Sequence, residues 1–128
     1  MSKDSSDGNQ EIHWLAEPEA QDYPAARSFL LLLNGPERTE ALVAGLQAAP
    51  VTRFKAKDIF RASGLSLLGV SNSHVEKDRK KIVAGASLSP LLLVRDEARG
   101  RVVIADGYHR LCSVYLFDED AWIPCKIV

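Results

Sequence analysis

The stretch ADGYHRL, residues 105–111, sets an acid, a glycine, an aromatic ring, a histidine and an arginine between a strand pattern, RVVIAD, and a helical one, YHRLCSVYLF. A strand ending at Asp106, a glycine at 107 and a helix beginning near Tyr108 leave several backbone N–H groups unpaired at one point, which is the geometry of an anion site. Gly107 allows a positive φ and a close backbone approach. His109 and Arg110, in the first helical turn, add two side-chain donors suited to a phosphate. Cations at a helix N-terminus oppose the macrodipole at a cost of about 0.3–1 kcal/mol each, and an anionic ligand removes that conflict. The same residues also have a purely structural reading, with Asp106 as a cap, Gly107 as a turn and Arg110 paired to Asp118, Glu119 or Asp120.

A second chemistry-bearing run is SNSHVEKDRKK, residues 71–81. A general base has to reach the hydroxyl that it deprotonates, and Glu76, Asp78 and Asp106 are the carboxylates on segments able to converge. Lys77 is placed to neutralise a migrating phosphoryl group. The structural reading is a solvated helix with i,i+4 pairs such as Glu76 to Lys80, and it is preferred for Lys80 and Lys81. Lys55 and Lys57, alternating with Phe54 and Ala56, read as guards of an edge strand. His109, Cys112 and Cys125 are too scattered for a structural zinc, so the cysteines read as free core thiols and no metal site is assigned. There is no Walker loop, HExxH, GxSxG or GxGxxG.

The elements that position these residues follow from apolar spacing and punctuation. Residues 1–10 are small and polar and are expected to form a disordered leader. An irregular arm, HWLAEPEAQDYP, precedes a helix with Pro24 in its first turn that stops at Asn34-Gly35. Pro36 opens a second helix, with Leu42, Val43, Leu46 and Ala49 on one face, and the two form a helical hairpin. VTRFKAKD has strand period; Asp58 is expected to cap a short helix ended by Gly64. Ser71, Asn72 or Ser73 caps a helix that turns Val75, Ile82 and Val83 inward and ends at Gly85. LLLVRD and RVVIAD pair across an EARG turn, the motif helix follows, DEDAW is a loop, and IPCKIV is a closing strand.

With 128 residues, 46% hydrophobic and 26% charged, the chain has the composition of one globular domain. Its net charge of −1 argues against a broad electrostatic grip on DNA or on an anionic membrane. No apolar run approaches the roughly 20 residues that cross a bilayer, and the start lacks a secretory h-region. Two cysteines with twelve residues between them suit free thiols in the cytoplasm.

ADGYHRL, preceded by SPLLLVRDEARGRVVI and followed by an amphipathic helix and IPCKIV, resembles the ParB/sulfiredoxin superfamily. There a DG-x-HR or GG-x-HR segment opens a helix and binds nucleotide phosphates; members include CTP-binding partition proteins, sulfiredoxins and free-serine kinases. The resemblance covers about residues 51–128, and its sharp motif is residues 106–110. It implies phosphate contacts for His109 and Arg110, with Gly107 as the turn. Tyr108 stands where sulfiredoxins place their reactive cysteine, which argues against sulfiredoxin activity. Neither the arginine-rich segment nor the helix-turn-helix domain of the partition proteins is present. The serine-kinase branch carries a histidine–glutamate pair on an upstream helix, and His74 and Glu76 occupy similar places.

The expectation is therefore an α+β, ParB/sulfiredoxin-like domain over residues 11–128, with a helical part (11–50) and a core (51–128) in which a small mixed sheet packs with helices. Its nucleotide or phosphate site would comprise Gly107, Tyr108, His109, Arg110 and Lys77, with His74, Glu76 or Asp106 near the reacting hydroxyl. ATP, ADP or CTP with Mg2+, or a phosphorylated small molecule, would be the ligand. The alternative is a non-catalytic protein-interaction module on the same scaffold.

Overall fold

The computed structural model describes residues 11–128, so the leader expected over residues 1–10 lies outside the described residues. The arm enters along the core: Trp14 bridges Leu88 in parallel, and Leu88 accepts from the Leu15 amide and donates to the His13 carbonyl, both at 2.8 Å. Two helices follow, α1 (Asp22–Leu33) and α2 (Pro36–Ala48). Helix α1 stops for a different reason from the one its Asn-Gly pair suggests. Asn34 is extended (φ −137°) and Gly35 has φ −66°, because Gly35 precedes Pro36 and the proline ring excludes the helical region there. The hairpin forms as expected, with Arg27 Nε paired to Glu40 across it at 2.9 Å.

Strand β1 (Thr52–Lys55) is shorter than the alternating pattern, and α3 (Ala56–Ser63) starts before Asp58, which is therefore not its cap. The amides of Ala56 and Lys57 donate to the carbonyls of Ala121 and Glu119, each at 2.9 Å, so the helix starts without a side-chain cap. Helix α4 (Ser73–Ala84) is capped by Asn72, whose Oδ1 accepts from the amides of His74 (2.9 Å) and Val75 (3.2 Å). Val75 and Ile82 face inward, seven residues or about two turns apart; Val83 lies one position further around and is exposed, contrary to expectation.

Strands β2 (Leu91–Asp96) and β3 (Arg101–Asp106) form the hairpin; α5 (Tyr108–Phe117) crosses over to β4 (Trp122–Ile127), which already includes Trp122. The sheet order is β1-β4-β2-β3. β1 runs antiparallel to β4, β4 parallel to β2, and β2 antiparallel to β3, so the sheet is mixed. It is covered on both faces. Ala26 and Leu30 of α1 with Leu42, Val43 and Leu46 of α2 meet Leu92, Val94 and Ala105 on one face. Residues of α3, α4 and α5, among them Ile59, Ile82, Leu111 and Val114, meet Leu91, Leu93, Ile104 and Ile123 on the other. This double cover is why β2 reads as an unbroken apolar run, LLLV, and not as an alternating one. The molecule is an α+β fold of five helices and four strands among the described residues. None of these helices is long and apolar enough to cross a membrane.

Candidate functional site

Strand β3 does not run evenly into the motif. Leu93 faces Ile104 across the hairpin, but Leu92 faces Asp106, which makes Ala105 the extra residue of a bulge. A bulge turns the following side chain relative to the sheet, and here it delivers Asp106 to the end of α5. Gly107 then takes φ 109°, and a Cβ there would lie 2.7 Å from Leu91 Cγ and 2.9 Å from an Arg110 terminal nitrogen. Only glycine fits on both counts.

Helix α5 begins without a side-chain cap, and its first amide with a backbone partner is that of Leu111, which donates to the Gly107 carbonyl at 2.9 Å. The amides of Tyr108, His109 and Arg110 thus open onto the space in front of the helix. Arg110 folds back over this turn. Its Nη2 donates to Asp106 at 3.0 Å and lies 3.4 Å from the Pro90 carbonyl. Its Nε is buried with no hydrogen-bond partner among the described residues. The pairing with Asp118, Glu119 or Asp120 considered from sequence does not occur: the guanidinium stays at its own end of the helix.

Helix α4 supplies the other wall. Ser113 Oγ of α5 donates to the Val75 carbonyl at 2.7 Å, fixing the two helices side by side. The rings of His74 and His109 come to rest 4.8 Å apart, tilted by 33°. A cleft of about 200 Å³ results, lined from α4 by His74, Lys77, Asp78 and Lys81 and from the motif by Asp106 through Arg110. The Tyr108 hydroxyl is turned to the Ser66 carbonyl, to which it donates.

Of the residues singled out in the sequence, His74, Lys77, Asp78, Asp106, Gly107, Tyr108, His109 and Arg110 come together here. Glu76 does not. Its two oxygens accept from Arg79 at 2.7 and 2.8 Å on another side of α4. Positions 74 and 76 lie about 200° apart on a helix, whereas 74, 77, 78 and 81 form one stripe, so the carboxylate beside His74 is Asp78. That i,i+3,i+4,i+7 spacing was the signal for Lys81 as well, which the sequence reading left to the surface. Lys57 is engaged elsewhere, bound to Asp120 at 2.6 Å.

The electrostatics follow from partial burial. Burial pushes the Asp78 carboxyl upward, against the opposing pull of Lys81, Arg110, His109 and Lys77. Burial likewise raises Asp106 despite its pairing with Arg110, and Asp22 adds to the rise. His109 is pushed down, first by burial and then by His74, with Asp78 acting the other way. The cleft thus gathers three cationic side chains, Lys77, Lys81 and Arg110, with two imidazoles around two carboxylates, Asp78 and Asp106.

Pockets enclosing drug-sized ligands run to about 300–1,000 Å³; at about 200 Å³ this cleft is smaller. Mg2+ is held typically by one or two carboxylates together with ligand phosphates, and Asp78 is the carboxylate here without a strong cationic hydrogen bond. Among the described residues no group of three or more His, Cys, Asp or Glu side chains is placed to hold a metal by itself. Cys112 and Cys125 are buried and unbridged, and burial drives the Cys125 thiol up to about 11. Compared with protein-family models, with curated proteins and with solved structures, the chain matches none.

Proposed function

We propose that this protein binds the phosphate groups of a nucleotide or a phosphorylated small molecule in the cleft between α4 and the start of α5. The observation that carries the reading is Arg110. It lines the cleft with Lys77, Lys81, His74 and His109, at the head of a helix whose first three amides have no backbone partner, and its Nε is buried with no hydrogen-bond partner among the described residues. Buried polar groups are normally satisfied, and a phosphate oxygen in front of Gly107 would accept from the amides and from the exposed part of the Arg110 guanidinium together. The likeness of residues 106–110 to the DG-x-HR segment of the ParB/sulfiredoxin superfamily supports the same ligand class.

Phosphoryl transfer is the activity proposed for the bound state. Mg2+ held between Asp78 and the phosphates would supply charge neutralisation. The protein's own part is to orient the terminal phosphate with the α5 amides and Arg110, and to take the proton of the attacking hydroxyl at His109 while its oxygen bonds to the terminal phosphorus and the bond from that phosphorus to the leaving phosphate's oxygen breaks. Burial favours the neutral, proton-accepting form of His109, and it raises the affinity of Asp78 for a proton.

Thermal shift with ATP, ADP, CTP and pyrophosphate, each with and without Mg2+, tests the reading. Ligand at 100 times its Kd stabilises the folded state by about 2.7 kcal/mol. At least one of these compounds is expected to raise the midpoint of the wild type and to lose that effect in Arg110→Ala. The proposal fails if none shifts the wild type, or if the variant shifts equally.

A further inference from the structure

A second cleft, of about 410 Å³, lies at the opposite end of the β2–β3 hairpin, against the α1–α2 turn. Its floor is aliphatic, made by Leu42, Val94 and Val103, on the sheet face that the helical hairpin covers. Its rim is cationic. Arg38 at the start of α2, Arg99 in the hairpin turn and Arg101 at the start of β3 surround it. One carboxylate faces them, Asp96, and it is engaged by Arg99 at 3.2 Å. Arg38 and Arg101 have no ion-pair partner among the described residues.

The apolar character continues outward. Leu33 lines the cleft, and with Phe29 and Leu32 it forms an i,i+3,i+4 stripe on α1 that is 55%, 42% and 81% exposed respectively. A stripe of that size on a helix whose opposite face is already buried in the core is unusual for a surface with no partner.

We infer that this cleft docks an acidic–aliphatic peptide segment of a partner protein, its leucine- or isoleucine-like side chains on the Leu33–Val103 floor and its carboxylates on Arg38 and Arg101. Charge complementarity selects the occupant. Guanidinium groups unmatched within the chain take carboxylates in a paired, planar geometry. The aliphatic floor suits branched side chains and gives a base no ring to stack on, the Phe29 ring lying outside the cleft lining on the adjoining stripe. The site is separate from the α4–α5 cleft and stands or falls independently of phosphate binding there.

Selection of a randomised peptide phage library on the full-length protein provides the test, followed by affinity measurement of a synthetic consensus peptide. The enriched sequences are expected to combine Asp or Glu with Leu, Ile or Phe. The consensus peptide should bind the double variant Arg38→Glu/Arg101→Glu at least about tenfold more weakly than wild type, a loss of about 1.4 kcal/mol. It should also weaken as salt rises, and weaken several-fold in Leu33→Ser, a change at an exposed position. Arg53→Glu/Lys55→Glu, the same charge change on β1 at the far edge of the sheet, should bind as wild type does, and all variants should keep the wild-type circular dichroism. The inference is overturned if no acidic–aliphatic family is enriched, if the Arg38/Arg101 variant binds normally while folded, or if the β1 variant loses as much. Tighter binding of a single-stranded thymidine oligonucleotide to the same arginines would also overturn it, in favour of nucleic acid.

Discussion

The imidazole rings of His74 and His109, from two different helices, stand 4.8 Å apart, with Asp78 close enough to act on the charge of His109. Protonating both rings at once sets like charges side by side, whereas a phosphate dianion between them and Arg110 would relieve the conflict. An NMR titration of the ring protons should place the His109 midpoint below about 6.5, and His74→Ala should move it up. Because folding depresses this pKa, the unfolded chain takes up the proton first. The contribution is absent above about pH 6.5 and becomes destabilising as pH falls toward the folded-state value. His109→Gln should remove that loss. Saturating pyrophosphate should raise the His109 midpoint.

Arg110 and Asp106 should respond unequally to substitution. The Asp106 carboxyl is already pushed upward by burial, so Asp106→Asn keeps an acceptor for Nη2 without the cost of a buried charge. Its effect on stability should be under about 1 kcal/mol. Arg110→Ala strands the carboxylate and should cost about 1–3 kcal/mol. Urea denaturation of both variants at pH 7 measures the difference; equal losses would show that the pair does not govern this turn.

Glycine substitutions separate steric demand from backbone demand. Gly107→Ala meets both a φ of 109° and a Cβ contact of 2.7 Å with Leu91. It should cost well over the roughly 1–2 kcal/mol of a left-handed residue alone. Gly100→Ala, at φ 64° in open space, should cost about 1–2 kcal/mol. Gly35→Ala, with φ −66° and nothing near, should change the midpoint little. At about 3–6 °C per kcal/mol for a domain of this size, calorimetry resolves the three.

Asn72 ties stability to the cleft, since its side chain holds the amides of His74 and Val75 at the start of α4. Asn72→Ala should cost about 1 kcal/mol. Fraying that turn also loosens His74, so any pyrophosphate-induced shift should shrink in this variant, while Asn72→Asp or Asn72→Ser should restore both. Thermal midpoints with and without pyrophosphate check the expectation.

Local signals in the sequence carried the element list because their causes are local. Asn72 as a cap, Gly85 and Gly107 at positive φ, and Pro36 as a helix start each act within a few residues. Where a non-local partner intervened, the reading slipped. Helix α3 starts at Ala56 because carbonyls more than sixty residues away, at Glu119 and Ala121, satisfy its first amides. The Lys126 ammonium on β4 is buried, donating to the Gln47 carbonyl at 3.0 Å and paired with Glu17 at 3.2 Å, and nothing near Lys126 in the sequence announces those partners.

For the site, residue types and spacing by themselves determined that amides, a glycine, His109 and Arg110 would meet at the head of one helix, since a single strand-turn-helix segment fixes that meeting. Only the tertiary structure decided which second wall faces them. The Ser113–Val75 hydrogen bond and the packing of α4 on α5 turn the stripe His74, Lys77, Asp78 and Lys81 toward the motif and turn Glu76 away. Helical periodicity defines the faces a helix has, but which face is used depends on what the helix packs against, and that is settled by contacts far apart in the chain.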